Sequence, residues 1–160
     1  MVTIGIDPGV SGAVALIQDG QCLALIDMPV MPSGRGKRQQ VNPVELGRML
    51  DQWKDMYGFG ERIHLWVELV HSMPKNTPQT AWSMGDSHGA IRAVVALSGL
   101  PAEYVAPGKW KRAMNLIKTD KEASRAKAMQ LFPDASLHRK KDHNRAEALL
   151  IATYGERQRQ

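Results

Sequence analysis

The chain has 160 residues, 43% of them hydrophobic and 23% charged, enough for one domain with its own core and too ordinary a composition for whole-chain disorder. A single cysteine, Cys22, excludes an intramolecular disulfide and a Cys/His zinc cluster, and no apolar run approaches the ~20 residues of a membrane span. Lys and Arg number 21 against 16 Asp and Glu, giving a formal charge of +5 and a pI near 9.5, which favours acidic partners.

Residues 2–6 are apolar and β-branched and run directly into a strand pattern, with no basic leader or cleavage site, so a cytosolic location is expected. Asp7-Pro8-Gly9-Val10-Ser11-Gly12 breaks the chain before a second strand over 13–17. Asp19-Gly20 is a hairpin signal, and Gln21 to Met28 completes an antiparallel meander. Residues 29–42, rich in Pro, Gly and Arg, are expected to form a mobile loop. An amphipathic helix is predicted over Pro43–Tyr57, with Asn42 as its cap and Gly58 as its stop. Ile63 to Val70 is a buried strand in pattern, carrying Glu68 near its end. Ser72 to Thr80 is polar with two prolines, and Ala81 to Leu97 is a long helix with small residues. A short strand over 102–105 follows, then helices over 107–114, 121–132 (cap Asp120) and 143–154. Strand–helix alternation behind a meander predicts one mixed α/β domain spanning 1–160.

The basic residues cluster. Arg35, Lys37 and Arg38 form one island, Lys109, Lys111, Arg112, Lys118 and Lys121 a second, and Arg139, Lys140 and Lys141 a third. Such islands suit a phosphate backbone, although a solvated surface would have the same composition.

Phosphodiester hydrolysis at neutral pH needs charge neutralisation and an activated water, which two divalent ions held by carboxylates supply. Asp7 ends the first strand beside a rigid turn, and Glu68 stands in an apolar run. Asp142, His143 and Glu147 open the last helix, where positions 143 and 147 share a face. Each also has an ordinary role open to it: Asp7 as a turn cap, Glu68 as a lysine's partner, Asp142 as a helix cap and Glu147 as a surface charge.

Taken in order, these segments resemble the RuvC-type Holliday-junction resolvases, in particular their bacteriophage and prophage branch. The resemblance covers most of the chain. It is carried by Gly5-Ile6-Asp7-Pro8-Gly9 with Gly12, by Val67-Glu68 followed by Ser72-Met73-Pro74-Lys75-Asn76, and by Ser83-Met84-Gly85 through Gly89-Ala90. It continues through Val105-Ala106-Pro107 with Lys109-Trp110-Lys111, through Asp120-Lys121 with Ser124-Arg125 and Leu131-Phe132-Pro133, and through Arg145-Ala146-Glu147 to Ala152.

The resemblance implies an RNase H-like fold, with a central mixed five-stranded sheet flanked by helices. It implies a homodimer that nicks opposed strands of four-way junctions with two Mg2+ ions, Mn2+ substituting, and leaves 5′-phosphates. Asp7, Glu68 and Glu147 fall on the family's metal-binding acids. Lys111 and Lys121 fall on phosphate-holding positions, and Lys109, Lys118, Arg125, Arg139, Lys140 and Lys141 extend the expected DNA contact. His71, Met73, Lys75 and Asn76 lie on the segment that would enter the junction, where Met or His can wedge between bases.

One departure stands out: Asn144 occupies a position where cellular members carry an acid or a His. The expected substitute is either Asp142, which would also bind metal, or His143. Three other readings share parts of the pattern. Actin-like sugar kinases carry a similar first motif but need two such domains and a second phosphate motif. A non-catalytic junction binder, and a fork, flap or RNA nuclease of the same fold, are the remaining two.

Overall fold

The computed structural model describes residues 1–34, 36, 38–58, 62–70 and 76–159, with only the backbone for Lys121. Strands β1 (Val2–Asp7), β2 (Ala13–Gln18) and β3 (Gln21–Asp27) form the expected antiparallel meander. The β2–β3 turn takes Asp19 and Gly20 at φ 50 and 74, the paired left-handed backbone that makes Asp-Gly a hairpin signal.

Where composition suggests a mobile loop over 29–42, the described residues hold two strands, Arg35 and Lys37 lying outside them. Strands β4 (Val30–Pro32) and β5 (Gln39–Val41) pair there as a separate antiparallel ribbon, with Val30 opposite Val41. Asn42 N–H bonds the Pro29 carbonyl at 2.8 Å and closes it. Strands of three residues are too short to show alternation, so the ribbon is hidden behind its turn residues.

Helix α1 (Pro43–Tyr57) starts where Asn42 Oδ1 accepts the Glu45 N–H at 3.1 Å, and it ends at Gly58 with φ 88. Strand β6 (Ile63–Glu68) lies parallel to β1, and β7 (Ala102–Val105) parallel to β6, giving the sheet order β3-β2-β1-β6-β7. Helix α2 (Pro78–Ser98) begins three residues earlier than periodicity predicts. Thr77 caps it, and Pro78 sits in the first turn, where a missing N–H costs nothing. Helices α3 (Pro107–Ala113) and α4 (Lys121–Leu131), a 3-10 turn (Lys140–Asp142) and α5 (His143–Arg157) complete the chain.

The central strands β1, β2 and β6 are buried on both faces. Ile4, Ile6, Leu65 and Val67 pack against α1 and α2, while Ala13, Ala15 and Trp66 pack under α5. Helix α5 lies unusually close to the sheet because two glycines allow it. A Cβ at Gly5 would collide with the Ala148 carbonyl and the Ala152 backbone N, and one at Gly155 with the Trp66 indole. Among the described residues, no helix is long and apolar enough to cross a membrane.

Candidate active site

Strand parity decides which acids can meet. Ile6 and Val67 are register partners in the core on the α1/α2 face. Asp7 and Glu68, one residue further along each strand, therefore project toward α5. Asp7 is 8% exposed and is followed by the tight turn in which Gly12 N–H bonds the Gly9 carbonyl at 3.0 Å. Pro8, Gly9 and Glu68 share an open cleft of about 280 Å³ with Leu69, Val70, Asn76, Met84 and Pro107.

Two residues of α3 engage the acids. Trp110 Nε1–H donates to Glu68 Oε2 at 2.6 Å, and Lys111 Nζ lies 3.0 Å from Glu147 Oε1. Burial pushes the Glu68 carboxyl above its ordinary range; the Trp110 bond opposes this, the Glu147 charge adds to it, and Lys111 offsets it. Glu68 and Glu147 are thus electrostatic neighbours across the β6–α5 interface, brought together from positions 79 apart by the parallel pairing of β6 and the descent of α5.

Among the described residues, no three Asp, Glu, His or Cys side chains stand close enough to share one ion as placed, and the Lys111 ammonium sits against Glu147. The donor set nevertheless fits a hard divalent cation. It consists of carboxylate oxygens alone, and burial makes the negative charge of Glu68 costly without a cation.

The other expected residues divide. Asp142 is 1% exposed: Oδ2 accepts Arg139 N–H at 2.8 Å, and Oδ1 accepts Arg139 Nε–H at 2.9 Å with Nη2 at 2.7 Å. Asn144 Nδ2–H bonds the Ser11 carbonyl, tying the start of α5 to the turn that follows Asp7. His143 Nδ1 lies 3.2 Å from the Lys140 carbonyl. Arg125 grips Glu122 with Nε and Nη2 and reaches the Leu137 and His138 carbonyls with Nη1, so its donors are engaged within the chain. Arg139 adds a bridge to Asp27 at 3.8 Å. Lys109, Lys118, Lys140 and Lys141 are exposed, and Asn76 Nδ2 contacts Met84 Sδ at 3.3 Å beside the cleft. His71, Met73 and Lys75 lie outside the described residues, as does the Lys121 side chain.

Trp110 stands in the segment Lys109-Trp110-Lys111 that the sequence singles out, but its role toward Glu68 escaped the sequence reading. A tryptophan in a basic segment is the one available signal, because its partner lies 42 residues away.

No family model matches the chain, and no curated protein matches it in sequence. Solved structures do. Thermus thermophilus RuvC in complex with a Holliday junction substrate matches with a TM-score of 0.69 and 18% identity, over 99% of this chain and 96% of that one. A second structure of T. thermophilus RuvC matches with a TM-score of 0.57 and 15% identity, with the same coverage. The architecture is the RNase H-like fold of RuvC, with its five-stranded mixed sheet and opening meander.

Proposed function

We propose that this chain is a divalent-metal-dependent, structure-specific DNA endonuclease that resolves four-way junctions, and that residues 1–160 form its single nuclease domain. The observation that carries the reading is the electrostatic coupling of Glu68 and Glu147 on the α5 side of a RuvC-like sheet, with Glu68 beside the Pro8-Gly9 turn that follows Asp7. The similar structure of T. thermophilus RuvC holds a Holliday junction substrate, which supports branched DNA as the ligand. The motif series described above supports the bacteriophage or prophage branch, acting in the host cytoplasm.

Asp7, Glu68 and Glu147 would hold the metal, magnesium with manganese as a substitute. When bound, a pair of such ions neutralises the scissile phosphate and activates the attacking water. The chain's own residues do the rest. The Gly9 backbone leaves room for a phosphate to approach Asp7. Exposed Lys109, Lys118, Lys140 and Lys141 bind the flanking backbone, and Lys111 stands where a phosphate next to Glu147 would meet it. Of the two candidates for the acid missing at 144, His143 keeps a ring nitrogen available. Its Nδ1 proton points at the Lys140 carbonyl, which makes Nε2 the basic nitrogen, whereas Asp142 spends both oxygens on Arg139. In-line attack would then leave a 5′-phosphate.

A homodimer suits a junction with two opposed strands. Along α2, Trp82 (76% exposed), Gly85, Gly89, Ala93 and Leu97 (87% exposed) form a solvent-facing stripe at helical spacing, and its two large apolar residues support α2 as the dimer face.

The test uses labelled four-way, three-way, flap and linear DNA with Mg2+ or Mn2+. Paired nicks are expected chiefly in the four-way substrate; equal cutting of linear duplex would sink junction specificity. Asp7→Asn should reduce nicking by more than about 100-fold while junction binding persists, because binding rests on the lysines. Full nicking by that variant would remove Asp7 from the site.

A further inference from the structure

Two consecutive residues of α3 each hold one of two electrostatically coupled carboxylates, Glu68 and Glu147, and they are chemically opposite kinds of holder. Trp110 is completely buried and rigid, with two side-chain torsions, and its indole N–H only donates. Its hydrogen bond therefore fixes Glu68 Oε2 as an acceptor and leaves Oε1 as the oxygen able to serve another partner. Lys111 is flexible and 31% exposed, and its compact charge lies over the Trp110 ring, 5.0 Å from the centroid, while reaching Glu147. The geometry thus combines a permanent restraint on one acid with a removable counter-charge on the other.

We propose that Trp110 is a positioning residue that presets Glu68 for a divalent cation, and that Lys111 is the resident counter-ion of Glu147, displaced when that cation binds. The inference rests on the nuclease reading above. It gives Lys111 two successive partners. Without metal it prevents two neighbouring carboxylates from facing each other uncompensated. Once metal takes Glu147, the released ammonium stands at the site's edge, ready for the incoming phosphate.

The experiment is titration of Mn2+ into the full, DNA-free chain, read by calorimetry and by the loss of the free-ion paramagnetic resonance signal, with circular-dichroism melting as the folding control. Trp110→Phe keeps an aromatic ring at the position, a smaller one, and removes the donor, and it should weaken Mn2+ binding by about 10-fold, as loss of a ligand's orienting partner does. Lys111→Gln removes the competitor and should tighten Mn2+ binding roughly two- to fivefold, the range of a partly exposed ion pair, while slowing nicking. Structural damage would weaken binding in both variants, so the opposite signs are the signature. Wild-type affinity in Trp110→Phe, or weaker affinity in Lys111→Gln, overturns the inference. If wild-type chain nicks junctions and binds Mn2+ but the variants bind identically, only this inference falls; if wild-type chain binds no Mn2+, the nuclease reading falls with it.

Discussion

Asp142 shows how a neighbour can claim a carboxylate that the sequence offers for catalysis. Burial pushes its pKa up, but the side-chain and backbone bonds from Arg139 outweigh that, and the net shift is below the ordinary 3.8. A general base works best with a pKa near the operating pH, so the shift leads away from catalysis and toward anchoring. The sign for stability follows. The unfolded chain takes up this proton first as pH falls, so the stabilisation is complete above pH 3.8 and is lost on acidification through the lower native pKa. Asp142→Asn should therefore cost about 1–2 kcal/mol at pH 7 by urea denaturation, with a smaller difference from wild type at pH 3. A constant difference at both pH values would contradict the anchoring role. Asp7 and Glu68 drew notice in the sequence because charged residues in apolar runs or beside rigid turns are informative, and Glu147 because it shares a helix face with position 143. The fate of Asp142 was not, because its position at the start of a helix fits a cap, a ligand and an anchor equally well. The bond from Asn144 to Ser11 was illegible for a different reason: it joins residues 133 apart.

At the scale of elements, the site depends on how closely α5 approaches the sheet. Gly5 and Gly155 are read most simply as weak points in a strand and a helix, yet each is the place where another element comes too near for a side chain. Gly5→Ala should cost about 3 kcal/mol or more, because the colliding atoms at Ala148 and Ala152 include backbone, which cannot swing aside. It should also lift Glu147 away from Glu68 and impair nicking beyond the loss of folded chain. Denaturant melts and nicking rates per folded molecule check both; a stability loss under about 0.5 kcal/mol would mean that α5 can move without penalty. Capped helices were read well from the sequence, since Asn42 and Asp120 act at their own termini. The β4–β5 ribbon and the first turn of α2 were missed because proline and glycine dominated the local pattern there, although in both places they are compatible with regular structure.

For the molecule as a whole, the charge of +5 matters less than which cations remain available. Sequence clustering treats Arg125, Arg139, Lys140 and Lys141 alike, but the fold separates them. Arg125 spends its guanidinium on Glu122 and two carbonyls, and Arg139 spends its own on Asp142 and Asp27, while the lysines stay exposed. Binding to a nucleic-acid backbone is driven by release of counterions, one for each phosphate neutralised, so the slope of log affinity against log salt counts the cations that reach phosphate. Lys140→Ala or Lys141→Ala should each make that slope shallower by about 1 and weaken junction binding at low salt. Arg125→Ala should leave the slope unchanged and lower the melting temperature instead, because the guanidinium ties α4 to the 137–138 segment. Fluorescence-anisotropy titrations of a four-way junction at several salt concentrations, without divalent ions, separate the two classes of cation. A slope change for Arg125→Ala equal to that of the lysines would show that the bidentate pair with Glu122 opens when DNA arrives, and that Arg125 belongs to the DNA contact after all.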